Sequence, residues 1–253
     1  MTPTVLSIAG LDPSGGAGIA ADLKTATAMG VYGMAALTTV TVQHPGGVDR
    51  VVPLAADVVA EQVGRLLDTM PIGAIKIGLL GSADIAEALI PLLEAATAPV
   101  VVDPVRVATS GAQLGHVDGA TMMRLLGQVT LVTPNADELE TLVGDMQPGR
   151  WAIEHGLAIL HTGGHGNGDT LHDVLWLPDG SHRTWSHPRV KTPHTHGSGC
   201  TLSTAVAVGL AKGLTLSEAV GSAIQYTTRL IGRSADQCMV DANGPLLHFK
   251  SDG

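Results

Sequence analysis

Thr195-His196-Gly197-Ser198-Gly199-Cys200-Thr201 is the stretch from which the rest of the chain is read. Two glycines flank Ser198, and Cys200 leads into an apolar, alanine-rich run at 202–211 that reads as a buried helix. Glycine accepts positive φ and lets the backbone approach a ligand closely. The first turn of a helix presents N–H groups without intrahelical partners, at the positive end of the helix dipole. Gly197, Ser198, Gly199 and Cys200 therefore predict an anion site suited to a phosphoryl group. The same dipole is expected to lower the Cys200 thiol pKa and make the thiol reactive. The competing reading is a glycine turn that merely starts a helix, with Cys200 packed in the core. Spacing alone does not separate the two.

Composition narrows the choice. Of 253 residues, 45% are hydrophobic and only 15% charged, enough apolar mass for one large α/β domain spanning 1–253. Aromatics are 2%, so the core is aliphatic, and 32 glycines imply many tight turns. A net charge of −9 with no basic cluster argues against a nucleic-acid partner. A polyanion must then be held locally, by backbone N–H groups and a metal. Cys200 and Cys238 make no disulfide framework. No apolar run reaches membrane-spanning length and the start lacks a basic leader, so the expectation is a cytoplasmic protein without membrane contact.

Reading the chain in order, an apolar run at 5–9 ends in Gly10 and reads as a buried strand. The loop Leu11-Asp12-Pro13-Ser14-Gly15-Gly16-Ala17-Gly18 follows, then a helix at 19–29. Its glycine spacing is not the G-x-G-x-x-G of a dinucleotide site. Asp22 reads either as a ligand contact or as an acid favoured near a helix start. A strand at 33–42 ends at Gln43, whose amide has the donor and acceptor to read a planar heterocycle. An edge strand at 48–52, a helix at 56–67, a strand at 74–77, a helix at 83–95 and a strand at 99–102 ending at Asp103 come next. Leu131-Val132-Thr133-Pro134-Asn135 repeats the strand-then-turn theme. Asn135 and Glu138 form a capping box or hold a hydrated Mg²⁺; both readings stand at this point. A strand at 157–160, a hairpin at 174–177 and 182–186, and helices at 198–212 and 216–229 complete the pattern. Alternating strands and helices predict a parallel sheet covered on both faces, with ligands beyond the carboxyl ends of its strands. Among the eleven histidines, His194, His196 and Cys200 are the best zinc trio, but they match no known ligand spacing.

These motifs resemble, in order, the ribokinase-like family, in its hydroxymethylpyrimidine/phosphomethylpyrimidine kinase branch of thiamine biosynthesis. The residues that carry the resemblance are Ile8-Ala9-Gly10, Asp12 to Ile19, Ala21-Asp22-Leu23-Lys24, Lys76-Ile77-Gly78, Asp103-Pro104-Val105, Thr133-Pro134-Asn135 with Glu138, Gly163-Gly164-His165, and 195–201. The resemblance implies a three-layer α/β/α sandwich with a mainly parallel central sheet, ATP and Mg²⁺ as cofactors, a pyrimidine substrate, and a homodimer. It implies Cys200, with the N–H groups of Gly197 and Gly199, as the catalytic set. Gly10, Asp22 and Gln43 would meet the pyrimidine; Asp103, Asn135, Thr162 and Ser198 would meet the nucleotide; Glu138 would hold the metal. Three positions depart from the family pattern: Leu11, Arg106, and Thr162 where a lysine commonly stands. Pyridoxal kinases of the same branch are the runner-up. A catalytically weakened pyrimidine-binding protein and, least favoured, a cysteine hydrolase using His196 with Cys200 are the remaining alternatives.

Overall fold

A computed structural model describes residues 2–105, 114–115, 117–165, 168–237, 239–241 and 243–249. Arg106 and Cys238 lie outside them.

The first half contains β1 (Thr4–Leu11), α1 (Gly18–Ala28), β2 (Tyr32–His44), β3 (Gly47–Pro53), α2 (Ala56–Thr69), β4 (Ala74–Ile77), α3 (Ala83–Ala95) and β5 (Val100–Val102). The second half contains α4 (Gly119–Leu126), β6 (Leu131–Val132), α5 (Ala136–Val143), α6 (Pro148–His155), β7 (Ala158–His161), β8 (Thr170–Trp176), β9 (His182–Pro188), α7 (Ser198–Ala211) and α8 (Leu216–Ser234). The strands form one sheet in the order β3-β2-β1-β4-β5-β6-β7-β8-β9. β2, β1, β4, β5, β6 and β7 run parallel, while β3, β8 and β9 are antiparallel additions at the two edges. The expected sandwich is what forms.

The period-2 alternation of the central strands decides which side chain enters which layer. Leu6, Ile8, Ile75, Ile77, Val100 and Val102 face one core, against Val59 and Val63 of α2, Ile85 and Leu89 of α3, Leu125 of α4, Leu139 of α5 and Trp151 of α6. Val5, Ala74, Val101 and Leu131 face the other, against Ala26 of α1 and the apolar faces of α7 and α8. In α7 every residue from Thr201 to Gly209 is buried, so this helix is covered all round and sits centrally. A parallel strand covered on both faces is a continuous apolar run, which is why Ala74–Ile77 is read from sequence with the bounds it has here; the helix Ala83–Ala95 is likewise read with its observed bounds. Two short helices, Gly119–Leu126 and Pro148–His155, escape that reading, and α8 runs on to Ser234.

Parallel strands bring their carboxyl ends to one edge. Leu11, Gln43, Asp103, Thr133 and Thr162 end or follow β1, β2, β5, β6 and β7, and the amino end of α7 faces the same edge.

Candidate active site

Two glycine loops are locked together above this edge. Gly197 is the N-cap of α7 with φ +79, and a Cβ there would lie 1.8 Å from the Gly16 carbonyl oxygen. Gly18, at φ +56, has equally little room, since a Cβ would fall 2.2 Å from the Gly10 carbonyl oxygen. Only glycine fits either position. Asp12 ties the loops together: it accepts from His196 Nε2 at 2.7 Å, from the Ser14 N–H at 2.8 Å and from the Ala17 N–H at 3.0 Å. Burial opposes the Asp12 charge, but the hydrogen bonds from His196 and Ser14 hold its carboxyl below the usual value. No side chain caps α7. The Ser198 N–H donates to the Thr195 carbonyl at 3.1 Å, and Gly199 and Cys200, which follow it, line the cleft at the amino end of the helix, the arrangement that binds anions.

Beneath the α7 terminus lies a buried cluster of ionisable groups. Asp22 of α1 accepts from Ser7 Oγ at 2.6 Å, Thr204 Oγ1 at 2.8 Å and Lys76 Nζ at 2.8 and 3.0 Å. Both Asp22 and Lys76 are fully inaccessible. The expected contact of Asp22 with substrate is thereby corrected: its carboxylate is saturated by four donor contacts and does not line the cleft. Burial disfavours the Lys76 ammonium, yet the Asp22 carboxylate beside it raises its pKa. Asp103, at the end of β5, is raised by burial and by the charge of Asp22, with Lys76 and hydrogen bonds from Cys200 and Ser203 acting against the rise. Cys200 is pushed up to about 12 by burial, with Asp103 and Asp22 adding to the rise, against Lys76 and the Gly18 amide. Desolvation thus works against the dipole-lowered, reactive thiol expected from sequence and favours the neutral form.

The facing wall is built from β6, β7, β8 and β9. Asn135 caps α5: its side chain accepts from the Glu138 N–H at 2.9 Å, while Glu138 Oε2 accepts from the Asn135 N–H at 3.0 Å. The capping box is therefore real, and both residues also line the cleft. Thr162 turns its N–H to the Pro134 carbonyl at 3.1 Å, with its hydroxyl 3.5 Å from the same oxygen. Beyond it, Asp173 accepts from the Gly163 N–H at 2.7 Å and from His187 Nε2 at 2.8 Å. Arg189 spans the same turn, donating to the Gly168 carbonyl at 2.9 Å and the Gly164 carbonyl at 3.2 Å.

Between the walls is a cavity of about 570 Å³, large enough for two small ligands side by side. Gly10, Gln43, Asp103, Asn135, Glu138, Thr162, Gly197, Ser198, Gly199 and Cys200 all line it. Gln43 stands at the β2 end with its amide oxygen accepting from Thr41 Oγ1 at 3.1 Å. Lys76, Asp173, His187 and Arg189 were not singled out in sequence, nor was Asp12 given a role. Only Lys76 and Asp12 sit inside quoted motifs.

The family model for phosphomethylpyrimidine kinase matches residues 12–246. The chain belongs to that family. The hydroxymethylpyrimidine/phosphomethylpyrimidine kinase of Streptomyces coelicolor is 42% identical to this family member over 241 residues, covering 90% of this chain and 88% of that one. The crystal structure of an ADP complex of Bacillus subtilis pyridoxal kinase superposes with a TM-score of 0.85 at 30% identity, over 98% of each chain. That of phosphomethylpyrimidine kinase from Clostridium difficile gives a TM-score of 0.76 at 31% identity, over 90% of this chain and 99% of that chain. As a phosphomethylpyrimidine kinase family member, the chain has the architecture expected of the ribokinase-like fold. Among the described residues, no helix is long and apolar enough to cross a membrane.

Proposed function

We propose that this protein transfers the γ-phosphoryl group of ATP to the hydroxymethyl oxygen of 4-amino-5-hydroxymethyl-2-methylpyrimidine, and then to the monophosphate so formed, in thiamine biosynthesis. The observation that carries the reading is the uncapped amino end of α7, Gly197 to Cys200, opening into the cavity of a chain 42% identical to a kinase of that name. In each transfer an oxygen–phosphorus bond forms to the acceptor, the bond from the γ-phosphorus to the bridging oxygen breaks, and ADP leaves. The protein's part in such chemistry is positioning and charge stabilisation. The amides of Gly197 and Gly199 would meet the transferring phosphoryl group. Cys200 would hold the acceptor hydroxyl and, as a neutral thiol, take its proton only as its own passes toward Asp103. Gly10 and Gln43 would seat the ring, with the Gln43 amide NH₂ as donor to a ring nitrogen.

Mg²⁺ fits the wall opposite. Among the described residues no group of three or more His, Cys, Asp and Glu forms a metal cage. A hydrated Mg²⁺ needs only one or two carboxylates together with phosphate oxygens. Glu138 would be that carboxylate, with Asn135 and Thr162 beside the phosphates; the ion would neutralise charge shared in the transition state.

The higher TM-score of the pyridoxal kinase favours a second reading, phosphorylation of pyridoxal. Against it stand the family match and the sequence identity to the pyrimidine kinase. The test is ADP release by the purified protein with ATP and Mg²⁺, offered the pyrimidine alcohol, its monophosphate, pyridoxal or no acceptor. Pyrimidine-dependent ADP release is expected with the first two. ADP release with none of the acceptors, while pyrimidine still binds, would make the chain a binding protein.

A further inference from the structure

The cleft is strongly acidic. Asp12, Asp103, Asp137, Glu138 and Asp173 line it, and Arg189 is the one arginine or lysine among its described lining residues. A chain of net charge −9 that accepts a polyphosphate must offset that repulsion at the site itself.

We infer that Arg189 is a nucleotide-binding residue, which meets the phosphate chain and fixes the glycine turn beneath it; the inference rests on the kinase reading. Three observations converge on it. First, the guanidinium is held in place by two backbone acceptors, the Gly168 carbonyl at Nε and the Gly164 carbonyl at Nη1, and the Arg189 N–H itself donates to the Asp169 carbonyl at 2.8 Å. A guanidinium held by two backbone carbonyls presents its charge at less entropy cost than ordering a free arginine. Second, the same turn is anchored from the other side by Asp173, which takes the Gly163 N–H and is itself fixed by His187. Third, Thr162, at the mouth of this turn, brings no charge and directs both its polar groups to the Pro134 carbonyl. Arg189 therefore supplies the positive side-chain charge on this wall, facing the cavity across from the α7 terminus.

Isothermal titration of ATP, adenosine and the pyrimidine alcohol into wild type, Arg189→Ala and Arg189→Lys tests this. Losing a charge-assisted hydrogen bond weakens binding on the order of ten- to a hundred-fold. That loss is expected for ATP in Arg189→Ala, with adenosine and pyrimidine affinities held within about two-fold, a change of under 0.5 kcal/mol. Arg189→Lys, which keeps charge but not the fork, should recover part of the ATP affinity. Unchanged ATP binding in Arg189→Ala overturns the inference. So does an equal loss for ATP, adenosine and pyrimidine, the signature of a collapsed turn. A wild type that binds pyrimidine but neither ATP nor adenosine would overturn the kinase reading itself, and Arg189 with it.

Discussion

At Cys200 two effects compete. A helix terminus favours the thiolate, but burial beside Asp103 and Asp22 pushes the thiol up to about 12. A group so protonated does not attack electrophiles at neutral pH. Iodoacetamide should accordingly modify Cys200 slowly at pH 7.5 in the folded protein and much faster after unfolding; rapid labelling of the native thiol would contradict the assigned environment. Cys200→Ala should keep its melting temperature and lose turnover on the order of 10²–10⁴, the range typical of a proton-transfer group. Near-normal turnover removes Cys200 from the reaction. Glu138 has two roles that a single substitution separates. Glutamine retains an acceptor for the Asn135 N–H, so Glu138→Gln preserves the cap while removing the charge. It should raise the Mg²⁺ concentration needed for half-maximal turnover, with thermal stability unchanged. An unaltered Mg²⁺ dependence confines Glu138 to the cap.

Elements were legible where one residue's chemistry sufficed. Glycines, a strand-ending Asp103 and the apolar runs of 74–77 and 83–95 announce themselves locally. Gly119–Leu126 and Pro148–His155 do not: each is an eight-residue helix carrying a glycine, too short for its apolar period to stand out. Asp173 and His187 meet only through the register of β8 on β9, where Asp173 faces Trp185 and His187 lies two residues further on. The hairpin was readable without its register. Lys76 was readable as part of Lys76-Ile77-Gly78, but its burial depends on Asp22 arriving from α1, which no spacing encodes. That pair joins β4 to α1 and, through Thr204, to α7. Lys76→Met leaves the buried Asp22 carboxyl without its cation, which costs about 3–5 kcal/mol. Urea unfolding should register that loss, and adding Asp22→Asn should return part of it. A Lys76→Met protein as stable as wild type would show that the pair contributes nothing to joining these elements.

Across the whole molecule, the C-terminal segment closes back onto the catalytic loop. His196 donates its N–H to the Gly244 carbonyl at 3.2 Å, and Leu247 donates to Ser234 Oγ at 2.8 Å. His248 is buried with Nδ1 against the Leu246 carbonyl at 3.0 Å and Nε2 against Thr201 Oγ1 at 3.1 Å. Burial lowers its pKa to about 4, with the Leu246 carbonyl opposing the fall. The folded state thus holds His248 neutral where the unfolded chain binds a proton. Stability from this group is complete above the unfolded value near pH 6.5 and declines as pH falls toward about 4. The urea midpoint should drop through that window, and His248→Gln should drop less; identical pH profiles would exclude His248 as the cause. The fold places this latch, the two glycine loops and the acidic wall around one cavity, and a pyrimidine alcohol is the acceptor proposed to be phosphorylated there. The most direct measurement is competition, with 4-amino-5-hydroxymethyl-2-methylpyrimidine and pyridoxal at equal concentration, limiting ATP, and both phosphate esters quantified. Pyrimidine phosphate should accumulate first and in excess; an excess of pyridoxal phosphate would rule out the pyrimidine as the preferred acceptor.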